Sequence, residues 1–242
     1  MIRSVVVAVL TGVVAAGGVL AQSPTITPFS KSAGEPPAPW KVLGLPNQTK
    51  PMTRFSVVDL DGKRALKVEA ELSYGNLVHP VRVSEPGTQL AWQWRVDKFI
   101  DAADLREKTG DDTAVKVCVF FDHALEKVPF GERQLLRLAR SRTEDLLPAA
   151  TVCYVWDAKL PVGTVLDNAF TRRMRYMVLQ SGKDNAGRWT AQRRDVGADF
   201  RKLFADEAGG EAPAIIGVAV GADSDNTQSR SLSHVADLVL AR

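Results

Sequence analysis

Short stretches in which apolar and polar residues alternate limit this chain to strands laid on a core. In QLAWQWRV, Leu90, Trp92, Trp94 and Val96 share one face, while Gln89, Ala91, Gln93 and Arg95 share the other. In RALKVEAEL, Leu66, Val68 and Ala70 alternate with Lys67, Glu69 and Glu71, and in TAVKVCVFF, Val115, Val117, Val119 and Phe121 share a face. Successive side chains of a strand point to opposite faces, so each stretch reads as a strand with one buried side. With TRFSVVD, NLVHPVRV, TVCYVW, RRMRYMVLQ, GRWTAQRR, AIIGVAV and SHVADLVL, the set reaches about ten strands, separated by turn sequences such as LDGK (60–63) and EPGT (85–88). Two segments depart from the pattern. Residues 130–147 carry strong helix formers, with Leu135, Leu138, Ala139 and Leu146 near helical spacing and a flank of arginines. Residues 198–208 place Phe200, Leu203 and Phe204 on one side and stop at Gly209-Gly210. The pattern predicts an all-β, mainly antiparallel sandwich, a jelly roll, with two short helices in its loops. No βαβ alternation is present, which argues against a doubly wound nucleotide-binding sheet.

The first residues, MIRSVVVAVLTGVVAAGGVLAQS, have the layout of a signal peptide: Arg3, an apolar run, then Val19-Leu20-Ala21 as a cleavage site. Cleavage after Ala21 leaves residues 22–50 as an extended lead-in rich in Pro, Ser, Thr and Gly, docked by Trp40, and 51–242 as one sandwich domain. No later run is long enough to span a bilayer, so the expected product carries no transmembrane anchor and is periplasmic or secreted. The chain of 242 residues has 45% hydrophobic and 24% charged residues and a net charge of only +3. Its lysines and arginines are scattered, which gives no nucleic-acid footprint. The two cysteines, Cys118 and Cys153, sit in strand-like runs. In an oxidising compartment they form one disulfide if their strands are neighbours, and otherwise pack as buried thiols; sequence does not fix the distance between them.

Local motifs for phosphate binding or zinc proteolysis are absent, and His79, His123 and His234 are far apart in sequence. The acids are more informative. Asp111 and Asp112 lie in the turn entering one apolar strand, and Asp223, Asp225 and Asn226 in the turn leaving another. Asp237 sits inside the last strand stretch between Val235 and Val239, where a carboxylate needs a cation, strong hydrogen bonds, a proton or an outlet to solvent. Three readings stay open: a turn network in which Asp and Asn bond their own backbone, a calcium site drawn from Asp112, Asp223, Asp225, Asn226 and Asp237, and paired carboxylates that work as acid and base. Candidate ligand contacts are Gln93 and Arg95 on the polar face of their strand, Asp111, Asp112 and the aromatic plane of Trp156.

Several segments taken together, LAWQWRV, GDDTAVKVCVFF, CYVW (153–156), GRWTAQRRDVGADFRKLF, and DSDNT followed by HVADLVL, resemble a bacterial family known as domain of unknown function 3047. The resemblance covers about 40–242, with Lys116 where that family often has Arg and Cys118 where Tyr is common. It implies export and an architecture, and no reaction. More distantly the ending is similar to that of jelly-roll carbohydrate-binding modules, which implies a structural calcium site for such an Asp. The expected function is an exported, noncatalytic binding module for a glycan or small envelope ligand, with calcium or no cofactor. The alternative is a carbohydrate-active hydrolase or lyase using Asp111, Asp112, Asp223 or Asp225.

Overall fold

The computed structural model describes residues 25–45, 47–145 and 147–241, so the signal-like segment 1–21 and Leu146 lie outside the described residues. In chain order the elements are β1 (Lys41–Leu43), β2 (Arg54–Leu60), β3 (Lys63–Glu71), β4 (Tyr74–Val83), β5 (Gln89–Lys98), β6 (Thr113–Phe121), α1 (Phe130–Arg140), β7 (Ala150–Asp157), β8 (Val165–Asp167), β9 (Met174–Ser181), β10 (Thr190–Asp195), α2 (Val196–Leu203), β11 (Ile215–Asp223), β12 (Arg230–Val235) and β13 (Val239–Ala241). They form two facing sheets. One has seven strands in the order β1-β4-β11-β6-β7-β9-β8; the other has the order β10-β5-β12-β3-β2, with β13 also on β5. Pairing is antiparallel except between β7 and β9. The chain crosses between sheets from β1 to β2, β3 to β4, β4 to β5, β5 to β6, β9 to β10, β10 to β11 and β11 to β12, which makes the fold a jelly-roll sandwich.

The alternation explains the core. Leu66, Val68 and Ala70 of β3 and Leu90, Trp92, Trp94 and Val96 of β5 face Val115, Val117, Val119 and Phe121 of β6 across the sandwich. Where β2 turns into β3, Leu60 pairs with Lys63 and the two turn residues, Asp61 and Gly62, take φ of 52° and 73°. A two-residue hairpin needs that left-handed pair, and Asp-Gly is among the sequences that adopt it. The lead-in belongs to the body: Ile26, Phe29 and Trp40 join the main core, and β1 forms an edge of the larger sheet. Among the described residues, every main-core residue lies between Ile26 and Leu238.

The sandwich has a second apolar layer on the outer face of the seven-stranded sheet. Val78, Cys118, Phe120, Cys153, Val155, Tyr176, Val178 and Ala219 are all buried there. Cys118 and Cys153 are directly opposed on β6 and β7 and form a disulfide. Both helices occur, with shifted ends. Helix α1 stops at Arg140, where Ser141 Oγ donates to the Leu138 carbonyl, rather than running to 147. Helix α2 begins two residues before the expected start because the Asp195 side chain accepts from Ala198 N at 2.9 Å. The expected final strand is split. Asp237 lies in the connection between β12 and β13, half-buried, and accepts from Ser30 N at 3.0 Å and from Ser30 Oγ at 2.5 Å. The carboxylate is therefore not flanked by valines on a strand face; the lead-in satisfies it.

Candidate functional site

The candidate site is the outer face of the seven-stranded sheet. Register sets its floor. Asn76 of β4, Gly221 of β11 and Lys116 of β6 are cross-strand neighbours, and the next row holds Tyr74, Asp223 and Thr113. Asp223 Oδ1 accepts from Thr113 N at 2.8 Å, and Asp223 Oδ2 receives Lys116 Nζ at 2.7 Å. The side chains of this ion pair are only 1% and 4% exposed. Burial alone would push the Lys116 ammonium down, but Asp223, with Tyr74 and Asp111 behind it, holds it above the ordinary lysine value. The ammonium also lies 5.2 Å from the Tyr74 ring centre.

Asp111 sits beside this pair and behaves differently. Burial first, and the Asp223 charge second, raise its carboxyl to about 6, against the opposing pull of Lys116, Asn168 and Tyr176. Asn168 Nδ2 donates to Asp111 Oδ2 at 2.5 Å, and Tyr176 Oη donates to Oδ1 at 3.2 Å. Asp112 holds the neighbouring loop. It accepts from Asn226 N at 3.2 Å, Thr227 N at 2.7 Å and Thr227 Oγ1 at 2.5 Å, while Asn226 Nδ2 donates to the Asp111 carbonyl. The acidic turn after β11 is thus tied to the turn before β6 by protein donors. Asp225 is half-buried, with one carboxylate oxygen that has no described partner, and burial followed by the Asp112 charge raises its value.

Five of the residues singled out from sequence, Asp111, Asp112, Asp223, Asp225 and Asn226, therefore meet at one end of this sheet. The others do not join them. Asp237 is held by Ser30. Gln93 and Arg95 lie on the outer face of the opposite sheet, where Gln93 accepts from Lys63 and Arg95 pairs with Asp61 and Asp97. Trp156 is 2% exposed, lies between the sheets and donates to the Gly182 carbonyl, so it offers no plane to a ligand. Its strand, TVCYVW, is buried on both faces and so shows no alternation to sort it. Among the described residues no three His, Cys, Asp or Glu side chains gather in a metal-holding group. The oxygens of Asp112 and Asp223 face N–H, O–H and ammonium donors where calcium would need them free.

Next to the polar cluster the same face opens into a cleft of about 570 Å³. Its floor carries Val78, Cys118, Phe120 and Met174, and α1 overhangs it with Leu135, Leu136 and Ala139. Tyr74, Asn76 and Asn168 bring the polar cluster to one end. Sequence reasoning passed over Asn76, Asn168 and Tyr176, and read Lys116 only as a departure from a family pattern. A buried arginine network fixes α1 in place. Arg173 forks onto Glu207 at 2.7 and 2.5 Å and reaches Glu132 of α1 at 2.5 Å, and Arg175 stacks 4.1 Å from the Phe204 ring centre. Gly221 is required here. A side chain at that position would place Cβ 2.1 Å from Asn76 Oδ1 and 3.0 Å from Lys116 Cε. Gly221→Ala should therefore cost about 1–3 kcal/mol by overpacking. Urea unfolding checks this, and a cost near zero would show that Asn76 and Lys116 move aside freely.

The architecture and this face define a jelly-roll sandwich whose outer sheet surface carries a polar cluster and an apolar cleft. The chain belongs to a family described only as "Protein of unknown function (DUF3047)", whose match spans residues 38–239. No curated protein matches the sequence. Among solved structures the chain is similar to TmCBM61, a carbohydrate-binding module in complex with β-1,4-galactotriose, at 10% identity and TM-score 0.38, with 89% of this chain and 94% of that one covered. It is also similar to the xyloglucanase domain of NopAA, a type three effector from Sinorhizobium fredii, in complex with cellobiose, at 8% identity and TM-score 0.41, with 84% and 98% covered. At these scores the likeness carries no inference about ligand.

Proposed function

We propose that this chain is a noncatalytic binding module of the cell envelope and that its ligand lies in the cleft beside Asn76 and Asn168. One observation carries the reading: a cleft of about 570 Å³ with a mainly apolar floor and a few polar groups at one end. That combination is the usual make-up of a small-ligand site. It suits a small envelope ligand with an apolar body and a hydroxyl- or amide-bearing end. Two features support an exported protein, the signal-like N-terminus and the Cys118–Cys153 disulfide, which persists in an oxidising compartment. The noncatalytic reading rests on the acids. Asp111, the carboxyl raised toward neutrality, is 4% exposed and committed to Asn168 and Tyr176. The acids that line the cleft, Glu132 and Asp145, are paired with Arg173 and Lys41. A glycan is the second reading. The shallow depression between Lys63, Gln93, Gln192 and Asp237 on the other sheet favours it, because amide and charged side chains of the kind that bond hydroxyls line it.

Methyl NMR of residues 22–242 separates the two. A monoacylglycerol should shift Leu43, Val78 and Met174, which line the cleft, and a Leu43→Arg variant should lose the response. Cellotriose shifting Ala191 and Val239, which line the other depression, with no response to the amphiphile, would replace the first reading by the second.

A further inference from the structure

The outer side of α1 is unlike an ordinary solvent-facing helix surface. Leu136 faces the body and is buried, whereas Phe130, Leu135 and Leu138 are 69%, 69% and 50% exposed. Phe170 and Leu45, on loops at the rim of the same cleft, are 58% and 56% exposed. Large apolar side chains scattered singly need no explanation, but several together around one opening mark a surface that is covered in use. The charge beside them is mostly of one sign. Arg133, Arg137, Arg140 and Arg142 follow one another along the helix and its end. None of the four forms an ion pair with a described carboxylate. Glu132, the acid of the first turn, turns inward to Arg173, and Asp145 beyond the helix is taken by Lys41; Glu144 is the exposed acid that remains nearby. Arg133 lies 5.6 Å from the Phe130 ring centre, so apolar and cationic groups are interleaved.

We infer that α1 and the cleft rim dock on a phospholipid surface carrying anionic headgroups. Arginines flanking Phe and Leu on one short helix match such a surface in both components, since the apolar side chains enter the headgroup boundary while the guanidinium groups meet phosphate. The cleft mouth lies at the same rim, so an amphiphile leaving the bilayer would enter the cleft without crossing water. A single short helix gives weak, reversible binding, suited to a module that visits a membrane rather than one anchored in it. This inference stands without the ligand assigned to the cleft.

Sedimentation of residues 22–242 with vesicles tests it; this portion holds the whole described fold and omits the apolar N-terminal run. Binding should be much stronger to vesicles containing phosphatidylglycerol than to phosphatidylcholine alone, and should weaken as salt shortens the screening length. Phe130→Ser with Leu138→Ser, which leave the cleft lining intact, should reduce binding to anionic vesicles by about tenfold or more. Arg137→Gln with Arg142→Gln should reduce it by about tenfold and leave binding to neutral vesicles unchanged. All four positions are exposed, so the melting temperatures of both variants should match the parent's and a binding loss cannot be ascribed to unfolding. Equal binding to both vesicle types, or variants that bind like the parent, overturns the inference. A concentration-dependent dimer in ultracentrifugation that Phe130→Ser and Leu138→Ser abolish, with no vesicle binding, overturns it in favour of self-association. The methyl shifts at Leu43, Val78 and Met174 report on the cleft separately, so either reading can fail alone.

Discussion

Lys116→Met should destabilise the protein by about 3–5 kcal/mol, the range for removing one partner of a buried ion pair. Methionine nearly matches lysine in length, so packing against Tyr74 and Gly221 survives while the ammonium is lost. Asp223 keeps Thr113 N and Thr113 Oγ1 on one oxygen, but its other oxygen, 2.7 Å from Nζ in the parent, is left with a desolvated charge. The cost should lie in that stranded carboxylate more than in the lost attraction. Adding Asp223→Asn to Lys116→Met should therefore recover part of the loss, and a double-mutant cycle in urea should show the two sites strongly coupled. A cost below about 1 kcal/mol for the single variant would mean that Asp223 finds water or a proton without strain, and the pair would not be a structural centre of this face.

The same pair shows how far the sequence could be read. Strand faces were legible wherever one side is wet: β5 alternates because Gln93 and Arg95 meet solvent while Trp92 and Trp94 do not. Strand β7 is buried on both sides, so its pattern carries no sign of which side chains point outward; β6 alternates enough to sort its faces, but its outer face, expected to be wet, is buried as well. That is why Trp156 was read as a plane open to a ligand, although it is buried, and Lys116 drew notice only as a difference in residue type. The partner of Lys116 is 107 positions away, and only the β11–β6 register brings it near. The acidic turns were visible as turns, and Asp111, Asp112, Asp223 and Asp225 do converge. What they converge on was not visible, because Asn168 and Tyr176 come from unrelated stretches, and only the fold sets Thr227 of the DSDNT turn against Asp112. Strands β1 and β8 have three residues each, too few to show a period. Arg173 and Arg175 looked like part of a strand, and their role emerges only when Glu207 and Glu132 arrive from distant elements.

Asp111 should make the protein lose stability as pH rises from about 4 to about 6, with a total loss of about 3 kcal/mol. The sign follows from the direction of the shift. An unfolded aspartate releases its proton near 3.8, while the folded one holds it to about 6. Below the first value both states are protonated and the contribution is fully present. Between the two values only the folded state keeps the proton, so each step upward favours unfolding. Above about 6 the folded protein carries the buried charge and the full cost has been taken. Asp111→Asn mimics the protonated acid: its oxygen can accept from Asn168 Nδ2, and its amide can donate to the Tyr176 hydroxyl, which is free to rotate. Its stability should lack this step, so urea unfolding across the window should show the variant gaining about 3 kcal/mol on the parent. A constant difference would show that Asp111 titrates as an ordinary carboxylate. The two substitutions also report on each other. Lys116 is one of the groups that pull Asp111 down, so in Lys116→Met the Asp111 midpoint, followed by carboxyl NMR, should move above its parent value. An unmoved midpoint would separate the ion pair electrically from the buried acid beside Asn168.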